Sequence, residues 1–95
     1  MAHYIGVLVP RGTGGWRALF PDIPACEVKA DSLDLAVLRA TSALTECVAR
    51  QYGDILPAPR ELGEIKADER WAADHAIDWS KAVVVMVPVR GGPQG

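Results

Sequence analysis

Four carboxylates, Asp22, Glu27, Asp31 and Asp34, lie close together in the chain and are the first residues to weigh for chemistry. Two-metal phosphodiester cleavage needs several carboxylates converging on ions ~3.5–4 Å apart, usually with an acid on a central strand. The first apolar stretch, Tyr4–Pro10, contains no acid. Asp31 and Asp34 have a simpler use at the start of a helix, where a cap and a negative charge suit the backbone N–H groups. Glu27 reads as a solvent-facing strand residue. His3 and His75 have no Ser, Cys or second ligand at a meaningful spacing, so they read as surface residues. Cys26 and Cys47 lack metal-ligand spacing and read as buried free thiols, with a disulfide as the alternative. The run Arg11-Gly12-Thr13-Gly14-Gly15 has the glycines of a phosphate loop but no following Lys-Ser/Thr and no helix. It reads as a hairpin turn. No catalytic residue, metal ligand or cofactor site is expected.

These residues must be positioned by a helix and a set of strands. Asp31–Tyr52 is the only long helix-periodic segment. Leu33, Ala36, Val37, Ala40, Ala43, Leu44, Cys47 and Val48 share one face. Ser32 or Asp31 supplies the N-cap, Arg50 the last-turn cation and Gly53 the C′ residue. Leu35 and Leu38 point away from that face. They are isolated surface leucines, or they are covered by a later segment or another chain. Strands are expected at Tyr4–Pro10, Trp16–Phe20, Cys26–Ala30 and Ala82–Val89, the last an edge strand because of Pro88. Two prolines, Pro21 and Pro24, end the second strand. Between helix and last strand, Leu62, Ile65 and Trp71 anchor one or two short helical turns.

The order β-β-β-α-β implies an α+β, two-layer domain over residues 1–90, with 91–95 a flexible tail. The sheet order is 3-2-1-4 with the long helix on one face. The crossover rule makes the last strand parallel to the first. Composition fits a folded domain: 49% of the 95 residues are hydrophobic and 23% charged. A formal net charge of −2 weighs against a sequence-independent grip on nucleic-acid backbone. No stretch approaches the length of a membrane helix, and the N-terminus lacks a signal-peptide pattern, so a cytoplasmic protein with no membrane partner is expected.

Four stretches taken together resemble the HicB-like antitoxin family, the partners of HicA mRNA interferases. Tyr4-Ile5 opens an apolar strand leading into a glycine turn. Phe20-Pro21-Asp22-Ile23-Pro24-Ala25-Cys26 is similar to an aromatic-Pro-Asp-aliphatic-Pro-Gly-Cys segment, with Ala25 in the glycine position. Asp31-Ser32-Leu33 with Ala36, Ala40, Ala43 and Leu44 is like the family helix. Leu56-Pro57-Ala58-Pro59 followed by Val83–Val89 is like its proline loop and last strand. The resemblance implies a partial RNase H-like fold. It implies a non-enzymatic antitoxin that binds a HicA-like toxin and masks its active site. Family-motif or interface candidates are Trp16, Phe20, Pro21, Asp22, Pro24, Cys26, Leu35 and Leu38. The chain ends soon after the last strand, where full HicB antitoxins add a DNA-binding module, so no direct DNA binding is expected.

The alternative is an orphan HicB-like domain with another partner, and a minor one is an RNase H-like nuclease. A homodimer or homotetramer is expected from the sheet. On the last strand Val83, Val85, Val87 and Val89 oppose Val84, Met86 and Pro88. On the first, Ile5, Val7 and Val9 oppose Tyr4 and Leu8, and on the second Trp16, Ala18 and Phe20 oppose Leu19. Both faces of the sheet are thus apolar, and one helix covers only one of them. A second copy would cover the other, unless residues 61–79 fold back with Trp71 and Trp79.

Overall fold

A computed structural model describes residues 2–12, 14–53 and 55–89. The elements in order are β1 (Ala2–Pro10), β2 (Trp16–Leu19), β3 (Glu27–Ala30), α1 (Leu33–Gln51), α2 (Leu62–Ala67), α3 (Glu69–Asp74) and β4 (Val83–Val89). The four strands form one sheet in the order β3-β2-β1-β4. β1 and β2 pair antiparallel from Val7–Leu19 to Pro10–Trp16, and β2 pairs antiparallel with β3. The expected tail, 91–95, lies outside the described residues.

The β1–β2 hairpin closes because the glycines take conformations that L side chains rarely adopt. The Arg11 amide donates to the Gly15 carbonyl and the Gly14 amide to the Arg11 carbonyl, both at 3.0 Å. Gly15 has φ 80°, and a Cβ there would stand 2.6 Å from the Ala30 carbonyl oxygen. Turn and β3 therefore pack backbone to backbone.

α1 begins at Ser32, whose Oγ accepts the Leu35 amide at 3.2 Å. It ends where the Tyr52 amide reaches the Val48 carbonyl and Gly53 turns left-handed at φ 58°. Ala36, Ala40, Leu44 and Val48 recur every four residues and are buried against the sheet. The small alanines bring the helix backbone close. Tyr4, Leu8, Ala18, Phe20, Val28, Val87 and Val89 complete this core.

β4 runs antiparallel to β1, pairing from Ala2–Val89 to Leu8–Val83, so the expected parallel pairing is wrong. The crossover rule governs a single pass between two strands, and this chain makes two passes. α1 returns along one face of the sheet. Still on that face, the Pro57 carbonyl accepts the Tyr4 hydroxyl at 2.5 Å, and the chain rounds to the opposite face between Pro57 and Leu62. It climbs through α2 and α3 to His75, whose carbonyl accepts from Arg17 Nη2 at 2.6 Å. Tyr4 and Arg17 lie toward opposite ends of the sheet, so this second pass reverses the direction in which β4 enters.

The second pass adds two short helices, α2 and α3, on the face of the sheet opposite α1. Ile65 is fully buried on Ile5, Val7, Val9 and Leu19, with Leu62, Trp71, Ile77 and Trp79 packed around it. The face left open in the sequence reading is thus covered, over β1 and β2, by the chain itself. Over β1 and β2 no second copy is needed to cover the sheet. On β4 the same face stays open: Val84 is 36% and Met86 65% exposed.

Candidate functional site

The sequence candidates divide into residues that build the fold and residues that face solvent. Phe20, Pro21 and Cys26 are buried. Trp16 is half-buried against the α1-side core. Pro24 is exposed in a turn closed by two backbone hydrogen bonds, Ile23 amide to Phe20 carbonyl and Cys26 amide to Ile23 carbonyl, both at 3.0 Å. Leu35 and Leu38 are 40% and 67% exposed.

Asp22 holds the loop that launches the second pass. Its Oδ2 accepts the Arg60 amide at 2.8 Å, and its Oδ1 accepts Arg60 Nε at 2.6 Å. Arg60 reaches on to Asp68 Oδ2 at 3.3 Å and to the Pro21 carbonyl at 3.4 Å. The Asp22 side chain is 7% exposed and that of Arg60 32%. A nearly buried carboxylate with two charge-assisted bonds is a structural anchor. Hydrogen bonding to Asp22 raises the Arg60 pKa further. The Asp68 carboxyl is lowered, first by the Trp71 amide it caps and then by Arg60.

Cys26 and Cys47 are both free thiols. Burial, and then its contact with the Cys47 thiol, push Cys26 up to about 12, so it is protonated and unreactive as a nucleophile. The ring of His75 lies 5.2 Å from that of Trp71. Glu27 is exposed, as expected. Among the described residues, no three His, Cys, Asp or Glu side chains gather as a metal site.

Among the described residues, the exposed large hydrophobics are Ile55 in the loop after α1, a pair on α1 and a pair on β4. The N-terminal half of α1 exposes Leu35 and Leu38 beside Asp31 and Asp34. The β4 edge exposes Val84, Met86 and Pro88. Pro88 has no amide hydrogen, which suits a strand whose outer edge has no neighbour in the sheet. Sequence reasoning did not single out Val84 and Met86 as site residues. Their signal was the unbroken apolar run Ala82–Val89, which lacks the alternation of a half-exposed strand. Among the described residues, no helix is long and apolar enough to cross a membrane.

No family model matches the sequence, and no curated protein matches it. The fold has solved counterparts. It is similar to a chain of the HicA3 and HicB3 toxin-antitoxin complex, with a TM-score of 0.60 at 16% sequence identity. The match covers 94% of this chain and 99% of the other, so the likeness extends over the whole fold.

Proposed function

We propose that this protein is a HicB-like antitoxin, a non-enzymatic module that binds a HicA-type mRNA interferase and masks its active site. The observation that supports this reading most is the end-to-end likeness of fold to a chain of a toxin-antitoxin complex. The chemistry agrees with it. Binding needs exposed apolar residues rather than a reactive group, and Leu35 and Leu38 are exposed on α1 near Asp34 and the preceding Asp31. A formal charge of −2 complements a basic, RNA-binding toxin. The partner in this reading is a toxin protein and the setting cytoplasmic. A second copy of the chain, in a homodimer or homotetramer, would seat on the β4 strip of Val84 and Met86.

Co-expression with the product of an adjacent short reading frame tests the reading. That product would be basic, with a histidine. A stable complex and relief of toxin-arrested growth are expected. Failure to form a complex favours an orphan domain with another partner. Metal-dependent RNA cleavage by the isolated chain would overturn the non-enzymatic reading.

A further inference from the structure

The chain is acidic overall, yet several of its cations gather at one place. Where the β1–β2 hairpin meets the segment between α3 and β4, a cleft of about 360 Å³ is lined by Arg11, Arg17 and Lys81, with Asp78. A second cleft shares Arg11, Arg17, Pro10, Gly12 and Ala76 and adds Lys29, with Glu27. The two form one trough with Arg11 and Arg17 at its centre. Four cations face two carboxylates, and Asp78 is already engaged. Its Oδ1 accepts the Ser80 hydroxyl at 2.6 Å and the Ser80 amide at 3.0 Å. The trough is therefore positive within a chain of formal charge −2.

We propose that this trough binds a phosphate monoester of mononucleotide size. Three features of the site carry the proposal. Arg17 is held in place, since its Nη2 donates to the His75 carbonyl at 2.6 Å, which fixes the guanidinium plane without consuming its remaining donors. Arg11 and Arg17 present fork-shaped donors, the geometry that suits a phosphate's oxygens. The floor is low and close to backbone: Gly12 has no side chain, and Ala76 takes the left-handed turn after α3. The volume suits a small ligand rather than a length of polymer. A single phosphate needs only a local cluster of cations, so the acidic balance of the whole chain does not oppose it. The site lies at the hairpin end of the sheet and does not depend on the antitoxin reading. Its ligand is a free nucleotide or the 5′-phosphate of an RNA end, and the two share one chemistry.

Amide NMR titrations at constant ionic strength test this with inorganic phosphate, adenosine monophosphate and a dicarboxylate as probes. Saturable shifts at Gly12, Arg17, Ala76 and Lys81 are expected with phosphate and the nucleotide. Arg11→Gln and Lys81→Gln, both surface changes, should each weaken binding about tenfold or more, the loss of one charge-assisted contact. A 5′-phosphorylated oligoribonucleotide that binds tighter than its 5′-hydroxyl form and than the mononucleotide assigns the RNA end. Equal binding of nucleotide and phosphorylated oligomer assigns the free nucleotide. The proposal is overturned by non-saturable shifts, by shifts unchanged in Arg11→Gln, or by a dicarboxylate that binds as well as phosphate, which would mark an acidic peptide site.

Discussion

Ile5 and Met86 stand opposite each other in the β1–β4 ladder and share one face of the sheet, yet Ile5 is 6% exposed and Met86 65%. The difference is made by α2, whose Ile65 lies on Ile5 and its neighbours but stops short of β4. The second apolar cluster is thus a small core of its own, held by one fully buried side chain from a six-residue helix. A helix that short has no stability apart from its packing. Ile65→Ala should therefore destabilise the protein by about 2–5 kcal/mol, in the range for deleting a buried aliphatic. Urea unfolding checks this. A loss below about 1 kcal/mol would mean that the second pass contributes little to the native state.

The Asp22–Arg60 contact should matter for the same region. Asp22→Ala leaves the Arg60 amide and guanidinium without their acceptor on a half-buried loop. The expected loss is about 2 kcal/mol, with Arg60 remaining in partial contact with water and Asp68. Hydrogen exchange should show the loss concentrated in α2 and α3, with the amides of α1 unchanged. Uniform loss across both cores would contradict the anchor role.

Asp68 gives this anchor a pH dependence. Its folded-state pKa is lowered from 3.8 by the Trp71 amide and by Arg60. A depressed carboxylate contributes stability above the unfolded pKa and loses it as pH falls through the folded one. Stability should thus be flat near neutrality and fall below about pH 4. Asp68→Asn should flatten part of that fall. If its acid unfolding curve runs parallel to wild type, the carboxylate has no linked role.

Legibility followed the periodicity of each segment. α1 was readable because its apolar face, Ser32 cap and Gly53 stop all agree. The strands were readable to within a residue or two, and their order followed from short connections. The direction of β4 was not, because it depends on whether Glu61–Ser80 crosses the sheet. That crossing is set by contacts distant in sequence, Tyr4 to Pro57, Asp22 to Arg60 and Arg17 to His75. Leu62, Ile65 and Trp71 were visible as anchors, but nothing local says against which face they pack. The motif segment Phe20–Cys26 stood out by its residue types. Only the burial of Phe20, Pro21 and Cys26 separates fold from surface there.

α3 stops without glycine. His75 is its C-cap, the Ala76 amide donates to the Ala73 carbonyl and the Ile77 amide to the Ala72 carbonyl. This is a Schellman turn with Ala76 at φ 54°, a position that usually takes glycine. Ala76→Gly should stabilise by about 0.5–1 kcal/mol, the left-handed strain relieved minus the added chain entropy. A lowered midpoint in thermal unfolding would show that the alanine is not strained there.

Two exposed apolar surfaces on different elements allow partner binding and self-association to be separated. Leu38, on α1, is exposed with Asp34 one turn before it, which suits a partner with a basic surface, whereas Met86 lies on an uncharged strand edge, which suits a second copy. Leu38→Asp should weaken a toxin complex about tenfold or more, as loss of an interface anchor does, and leave the oligomeric state unchanged. Met86→Lys should do the reverse, since a lysine on an edge strand blocks edge pairing. Neither residue is buried, so neither change should move the unfolding midpoint much. Sedimentation equilibrium and titration calorimetry on both variants decide the matter. A wild-type chain that is monomeric at micromolar concentration removes the β4 interface. A toxin complex indifferent to Leu38→Asp but lost in Met86→Lys would place the partner on the sheet edge instead.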